Sequence, residues 1–305
     1  MLARLQQFTT LGALLLATLW GLLWWRAGYP SCALLGVGLM VIGYAGVLAL
    51  EFALLRMAHG DDATPKATGL QLLRAWWGEV RSAPLVFCWR QPFFSNRYPN
   101  NLQASGDLHG VLLIHGFVCN RGLWNRWLQR LQQRGVPVIA LNLEPVFGGI
   151  DEYRLAIEQA VNQLQQATGK PPVVVAHSMG GLALRAWWAQ ADGDRRVHHA
   201  ITLGTPHHGT WLARFALTRN SQQMRRSSRW LQGLAAAEPA DRGTRFTCFY
   251  SHCDNIVFPA ATATLAGAEN RHLPGVAHVH MVEHPEPWDE LLRWVSGPGV
   301  TPGSR

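Results

Sequence analysis

The chain has 305 residues, 48% of them hydrophobic and 15% charged, with a mean hydropathy of +0.01. That is enough apolar material for one large domain or two small ones, too little charge for a disordered chain, and too low a mean for a many-span transporter. The net charge of +8 comes from 27 basic against 19 acidic residues, is dispersed, and accompanies no nucleic-acid-binding motif. Nucleic acid is therefore set aside as a partner, and Arg usage with attraction to anionic lipid accounts for the balance.

Residues 8–25 and 27–50 are two uncharged runs separated only by Arg26. At about 1.5 Å per helical residue, each can cross a hydrocarbon core of roughly 30 Å, the first only just. Trp20, Trp24, Trp25 and Tyr29 cluster where interfacial aromatic rings settle, and Gly28 and Pro30 suit a tight connector. The reading is a two-span transmembrane hairpin over 1–57. A cleaved signal peptide would still leave the second run, and a buried soluble hairpin would need more polar interruptions than these runs have. Arg4, Arg56, Lys66 and Arg74 flank the hairpin, against Arg26 inside it. The positive-inside tendency then places both termini on the cytoplasmic side, in a bacterial inner membrane. The five cysteines show no metal-ligand or disulfide spacing.

Residues 58–107 read as a polar linker, 59–68, followed by an amphipathic stretch, 69–82. Its Leu70, Leu72, Leu73, Trp76, Trp77 and Val80 recur at helical spacing. Such a helix either lies on a membrane surface or covers the following domain, the commoner fate. From about residue 110, short apolar runs (111–114, 136–141, 172–176) and further strands (197–203, 245–251, 270–273) alternate with helical segments (123–134, 153–168, 181–191, 287–295). Continuous apolar strands between helices predict an α/β fold, a mostly parallel sheet covered on both faces. Its chemistry then belongs at the carboxyl ends of the strands. This domain is placed at 108–298, with a tail at 299–305.

The most informative residues are Ala176-His177-Ser178-Met179-Gly180-Gly181, where a strand of valines runs into a serine and a helix starts directly after it. The turn is sharp, so Ala176 and Gly180 must be small. It exposes Ser178 Oγ and aims the first helical N–H groups at one point. This segment resembles the nucleophile elbow of the α/β-hydrolase superfamily, with Ala in place of the first Gly, as in some bacterial triacylglycerol-lipase-like serine esterases. Three other segments match in chain order. Leu112-Leu113-Ile114-His115-Gly116-Phe117 is similar to the early strand and oxyanion loop. The resemblance implies that Gly116 allows close backbone approach and that the Phe117 and Met179 N–H groups form the oxyanion hole, with His115 orienting the loop. Residues 204–210 resemble the loop shaping the site mouth, which makes His207 and His208 structural. The resemblance implies Asp254 as the acid, three residues before Val257, with Asp241 as alternative. His278 is implied as the base, with His280 and His284 as neighbours that compete. His177 and Gly180 support the elbow.

The resemblance covers about 108–296 and implies a Ser178–His278–Asp254 triad working through an acyl-enzyme, with no metal and no organic cofactor. Residues 211–240 leave the strand–helix alternation, mix apolar side chains with five arginines, and match the place of a lid. The expected function is a membrane-anchored serine hydrolase whose partners are the membrane and a lipid or other hydrophobic acyl-ester substrate. A thioesterase, acyltransferase or depolymerase of the same fold, or an inactive hydrolase-like membrane scaffold, are the alternatives.

Overall fold

The computed structural model describes residues 1–60, 62–103, 106–190 and 194–296; the expected tail at 299–305 lies outside them. Successive strand residues point to opposite faces, and here both faces are apolar. Val111, Leu113, Val173 and Val175 are buried in one core layer, and Leu112, Ile114, Val174 and Ala176 in the other. The strands are β1 (Val111–Ile114), β2 (Val138–Ala140), β3 (Val173–His177), β4 (His199–Leu203), β5 (Phe246–Tyr250) and β6 (Glu269–His272). They form one sheet in the order β2-β1-β3-β4-β5-β6 with every neighbouring pair parallel.

Two long helices precede the sheet, α1 (Leu2–Arg26) and α2 (Pro30–Met57). Pro30 opens α2 at a position where its missing N–H costs nothing. Both helices are long and apolar enough to cross a membrane, and side chains such as Leu14, Leu34 and Ile42 are more than 60% exposed. Next come α3 (Gly69–Pro84), capped by a reciprocal Thr68–Gln71 pair, a π-helical stretch Leu85–Arg90, and α4 (Gln91–Phe94). Pro84 cannot donate to the carbonyl of Val80, and the Tyr44 hydroxyl of α2 donates to it instead.

Helices α5 (Asn125–Gln133), α6 (Arg154–Thr168), α7 (Met179–Trp188), α8 (Arg219–Gln223), α9 (Arg229–Ala237) and α10 (Pro285–Val295) complete the chain. Leu128, Leu131, Trp288 and Leu291 of α5 and α10 cover the Val111 face, and α6, α7 and α9 cover the Leu112 face. Leu231 and Leu234 of the 211–240 segment belong to that second layer, so α9 is part of the core.

The amphipathic helix meets the following domain through its face of small residues. α3 turns Ala75, Glu79, Ser82 and Ala83 inward, while Leu70, Leu73 and Trp77 are more than half exposed. Periodicity identifies an apolar stripe; it does not say which solvent that stripe faces.

Candidate active site

Parallel register brings the ends of four strands level. His177 lies opposite Leu203, Leu203 opposite Phe249, and Ile114 opposite Ala176. The loops beginning at residues 115, 178, 204 and 251 therefore gather at one edge. β1 and β3 lie side by side where the strand order changes direction, the place where such sheets form a crevice.

Ser178 stands between β3 and α7 at φ +54°, ψ −129°, a conformation that a side chain adopts only under strain. Its N–H donates to Leu203 O (2.8 Å), and its carbonyl accepts from Thr205 Oγ1 (2.9 Å) and Gly181 N (3.1 Å), which hold the turn. A Cβ on Gly116 would lie 2.7 Å from Ser178 Cβ, so the oxyanion-loop candidate touches the serine directly. A Cβ on Gly180 would meet the carbonyls of His115 and Ile114 at 2.6 and 2.7 Å, so the end of β1 crowds this glycine. Met179 is the first residue of α7, and neither its N–H nor that of Phe117 has an acceptor among the described residues. Val118, next in the loop, is also at positive φ.

Asp254 is 1% exposed at the turn after β5. Its Oδ1 accepts from Ile256 N (2.9 Å) and Val257 N (2.8 Å), leaving Oδ2 for His278 Nδ1 at 2.9 Å. That bond places a donor proton on Nδ1 and leaves Nε2 as the basic nitrogen. Burial works against the charged imidazole of His278, but Asp254, Glu79 and Glu51 outweigh it and raise the pKa above the ordinary histidine value. His177 packs its ring 4.5 Å from that of His278, with Nε2 3.2 Å from the His278 carbonyl. Burial, and then the charge on His278, hold its pKa well down, so His177 fills this space as a neutral ring.

The other candidates lie elsewhere. Asp241 is exposed before a 3₁₀ turn, Arg242–Arg245. His280 and His284 bracket another, and no group of three or more His, Cys, Asp or Glu side chains converges as a metal site among the described residues. His115 bonds Gly116 O through Nδ1 (2.9 Å) and accepts Leu143 N at Nε2 (3.0 Å); burial lowers its pKa to about 4. His207 lies within 3.1 Å of Thr202 Oγ1. His208 is less enclosed, and burial lowers its pKa.

Three contributions escape sequence reading. Gly204, at φ +55°, leaves room for the Asp254–His278 pair: a Cβ there would lie 2.8 Å from Asp254 Oδ2 and 3.0 Å from His278 Nδ1. Gly204→Ala is expected to displace the pair and lower kcat about 100-fold, the scale of a misplacement near 1 Å; kcat within twofold of the parent would show that the loop absorbs the methyl. Glu79 of α3, 2% exposed, accepts from Val279 N (3.1 Å) and His280 N (3.0 Å), and burial raises its pKa to about 7. Glu51 of α2 accepts from Asn255 Nδ2 (2.7 Å), and Asn255 Oδ1 accepts from His278 N (3.2 Å). The signal for Glu79 was its place four residues after Ala75, inside a helix face of small residues.

The α/β hydrolase fold family model matches residues 111–252, from β1 to just before Asp254. The sheet and its helices are thus an α/β-hydrolase fold. The mature form of the lipase BlEst2 from Bacillus licheniformis is 14% identical with a TM-score of 0.54, over 62% of this chain and 93% of that one. Its propeptide form is 15% identical at a TM-score of 0.55, over 66% of this chain and 54% of that one. Lipase B from Aspergillus fumigatus is 21% identical at 0.53, over 65% and 55%. The chain thus spans little more than half of the latter two. At these identities the likeness is one of fold. No curated protein sequence matches the chain. The chain is similar in fold to these lipases, and its N-terminal helices lie outside the matched region.

Proposed function

We propose that this α/β hydrolase is a membrane-anchored serine hydrolase of carboxylic esters carrying lipid or other hydrophobic acyl groups. One observation carries the reading: a serine at a strained strand–helix turn, touched by a glycine loop and sharing its strand edge with a buried aspartate–histidine pair bonded at 2.9 Å. In this reading His278 takes the proton of Ser178 Oγ as the oxygen attacks the acyl carbonyl. Asp254 holds the imidazole and stabilises its charged form. The Phe117 and Met179 N–H groups receive the developing oxyanion, each typically worth about 3 kcal/mol. His278 then returns its proton to the leaving alcohol, and the same side chain activates the water that frees the acyl group.

The membrane part of the reading rests on α1 and α2 and on the outward side chains that continue from α3, among them Leu70, Leu73, Trp77, Trp89 and Phe93. The start of α1 and the end of α2 both touch the hydrolase domain, so Met1 and that domain lie on one side of any bilayer the hairpin crosses. The positive-inside tendency makes that side the cytoplasm. Reporter fusions after residue 57 that are active only outside the cytoplasm would reverse this orientation.

Labelling of the detergent-solubilised full chain by a fluorophosphonate tests the chemistry; folded protein that stays unlabelled overturns it. A chain-length series of p-nitrophenyl esters then reads the acyl preference. The pH profile tests the base. His278 must be neutral to accept a proton and its pKa is raised, so kcat/KM is expected to climb with pH through a limb above about 6.5. Glu79→Gln removes a negative charge that favours the imidazolium, so the limb moves to lower pH. An unmoved limb would remove Glu79 from the field acting on the base.

A further inference from the structure

Where α2 ends, the chain folds back over the loop after β5 and forms a partly open cavity of about 60 Å³ that neither Ser178 nor His278 lines. Its polar wall is incomplete in a particular way. His252 is 8% exposed, and both of its ring nitrogens are buried without a hydrogen-bond partner. Thr64 Oγ1, on the opposite segment, is likewise buried and unpartnered. Arg56, Lys66, His59 and Ser251 also line it, and Arg56 and Lys66 form no ion pair among the described residues. The one carboxylate in the described lining, Asp62, has both oxygens engaged, by Thr64 N (2.9 Å) and Ala261 N (3.1 Å).

Buried polar atoms without partners are costly, and a ligand that satisfies them recovers that cost. The ligand must be rich in acceptors, because the free groups are a hydroxyl, an imidazole, a guanidinium and an ammonium. It must be negative, because Arg56 and Lys66 outnumber the one carboxylate of the described lining, Asp62, whose oxygens are turned to backbone N–H groups. Burial, His272 and His59 lower the pKa of His252, so its ring is neutral and offers one N–H. Donors arriving from a helix end, a turn and a separate loop suit a tetrahedral oxyanion better than a planar one.

We propose that this cavity binds a phosphate group, with Arg56 and Lys66 supplying charge and Thr64 and His252 the directional bonds. The position at the end of α2 indicates the source. The uncharged run of that helix stops six residues earlier, so in the membrane reading the cavity lies at the depth of lipid phosphates. A phospholipid headgroup is the expected occupant. Only this choice of source rests on the membrane reading; a phosphate site stands without it, and stands whether or not the chain hydrolyses esters.

The test titrates the full chain, in a sugar-based detergent and phosphate-free buffer, with inorganic phosphate, a short-chain ether-linked phosphatidylglycerol, and the matching phosphate-free ether-linked glycerol. Calorimetry is expected to show binding of the phospholipid, weakened at least tenfold in Arg56→Gln/Lys66→Gln and in Thr64→Val, with none for the phosphate-free glycerol. The double variant is expected to keep the parent's unliganded melting temperature and its rate on p-nitrophenyl esters. Binding of inorganic phosphate with the same dependence on Arg56 and Lys66 supports the site and assigns it to free phosphate. Failure of folded parent protein to bind either phosphate probe, or binding that the double variant leaves unchanged, overturns the proposal.

Discussion

Ser178→Ala is expected to abolish fluorophosphonate labelling and to lower ester-hydrolysis kcat on the order of 10⁶-fold while leaving the melting temperature close to the parent's. The size follows from the bond chemistry. The hydroxyl is the atom that would become acylated, and no neighbouring side chain replaces it: Thr205 Oγ1 is committed to the Ser178 carbonyl at 2.9 Å. His278→Ala should cost about as much, because residues that act as a unit do not contribute additively, and the Ser178→Ala/His278→Ala double variant should lose little more. A rate reduced less than tenfold by Ser178→Ala would move the nucleophile elsewhere and take the triad with it. The variant should also remain folded, since the positive φ of Ser178 is strain the alanine inherits rather than creates.

The largest effect on stability is expected at Arg185. This α7 side chain is 3% exposed and pairs with Glu238, 8% exposed, through Nη2 at 2.5 Å and Nε at 2.9 Å, while Nη1 donates to His207 O at 3.1 Å. The pair joins the helix that follows the serine to the end of the 211–240 segment. Arg185→Ala leaves the Glu238 carboxylate enclosed with no counter-charge, which typically costs about 3–5 kcal/mol. For a chain of this size that lowers the melting temperature by roughly 10 °C. Replacing both residues with apolar ones, Arg185→Met/Glu238→Leu, should recover most of the loss, because no charge is stranded. Equal melting temperatures for the Arg185→Ala variant and the parent would mean that water reaches Glu238.

Much of the hydrolase domain is legible because its signals are local. Three valines before Ser178 and a helix directly after it specify a strand–turn–helix whatever the rest of the chain does. The apolar runs at 111–114 and 197–203 likewise specify buried parallel strands. The resemblance points to Ser178, Asp254 and His278 in that order, and the three residues sit on turns at one sheet edge. What the sequence conceals is how separate segments meet. Glu79 reads as one acidic residue on an amphipathic helix, because periodicity ranks side chains by polarity and cannot know that the smaller face packs on the His278 loop. Glu51 and Asn255 are 204 residues apart, so neither has a local signature. Gly204 reads as a turn residue, and only the crossing of the loops after β4 and β5 shows that its missing side chain leaves space for Asp254.

The two N-terminal helices are joined to the body at widely separated points: Gln6 to Gln91, Tyr44 to the carbonyl of Val80, and Glu51 to Asn255. A single flexible tether lets an enzyme tumble above a surface; three attachments along the helices leave it one attitude. With α1 and α2 in a bilayer, Ser178 would keep a set height and tilt, as a stylus does over a record. Turnover would then follow the surface density of ester in the two-dimensional phase, so diluting the substrate with inert lipid would slow the enzyme even at constant bulk concentration.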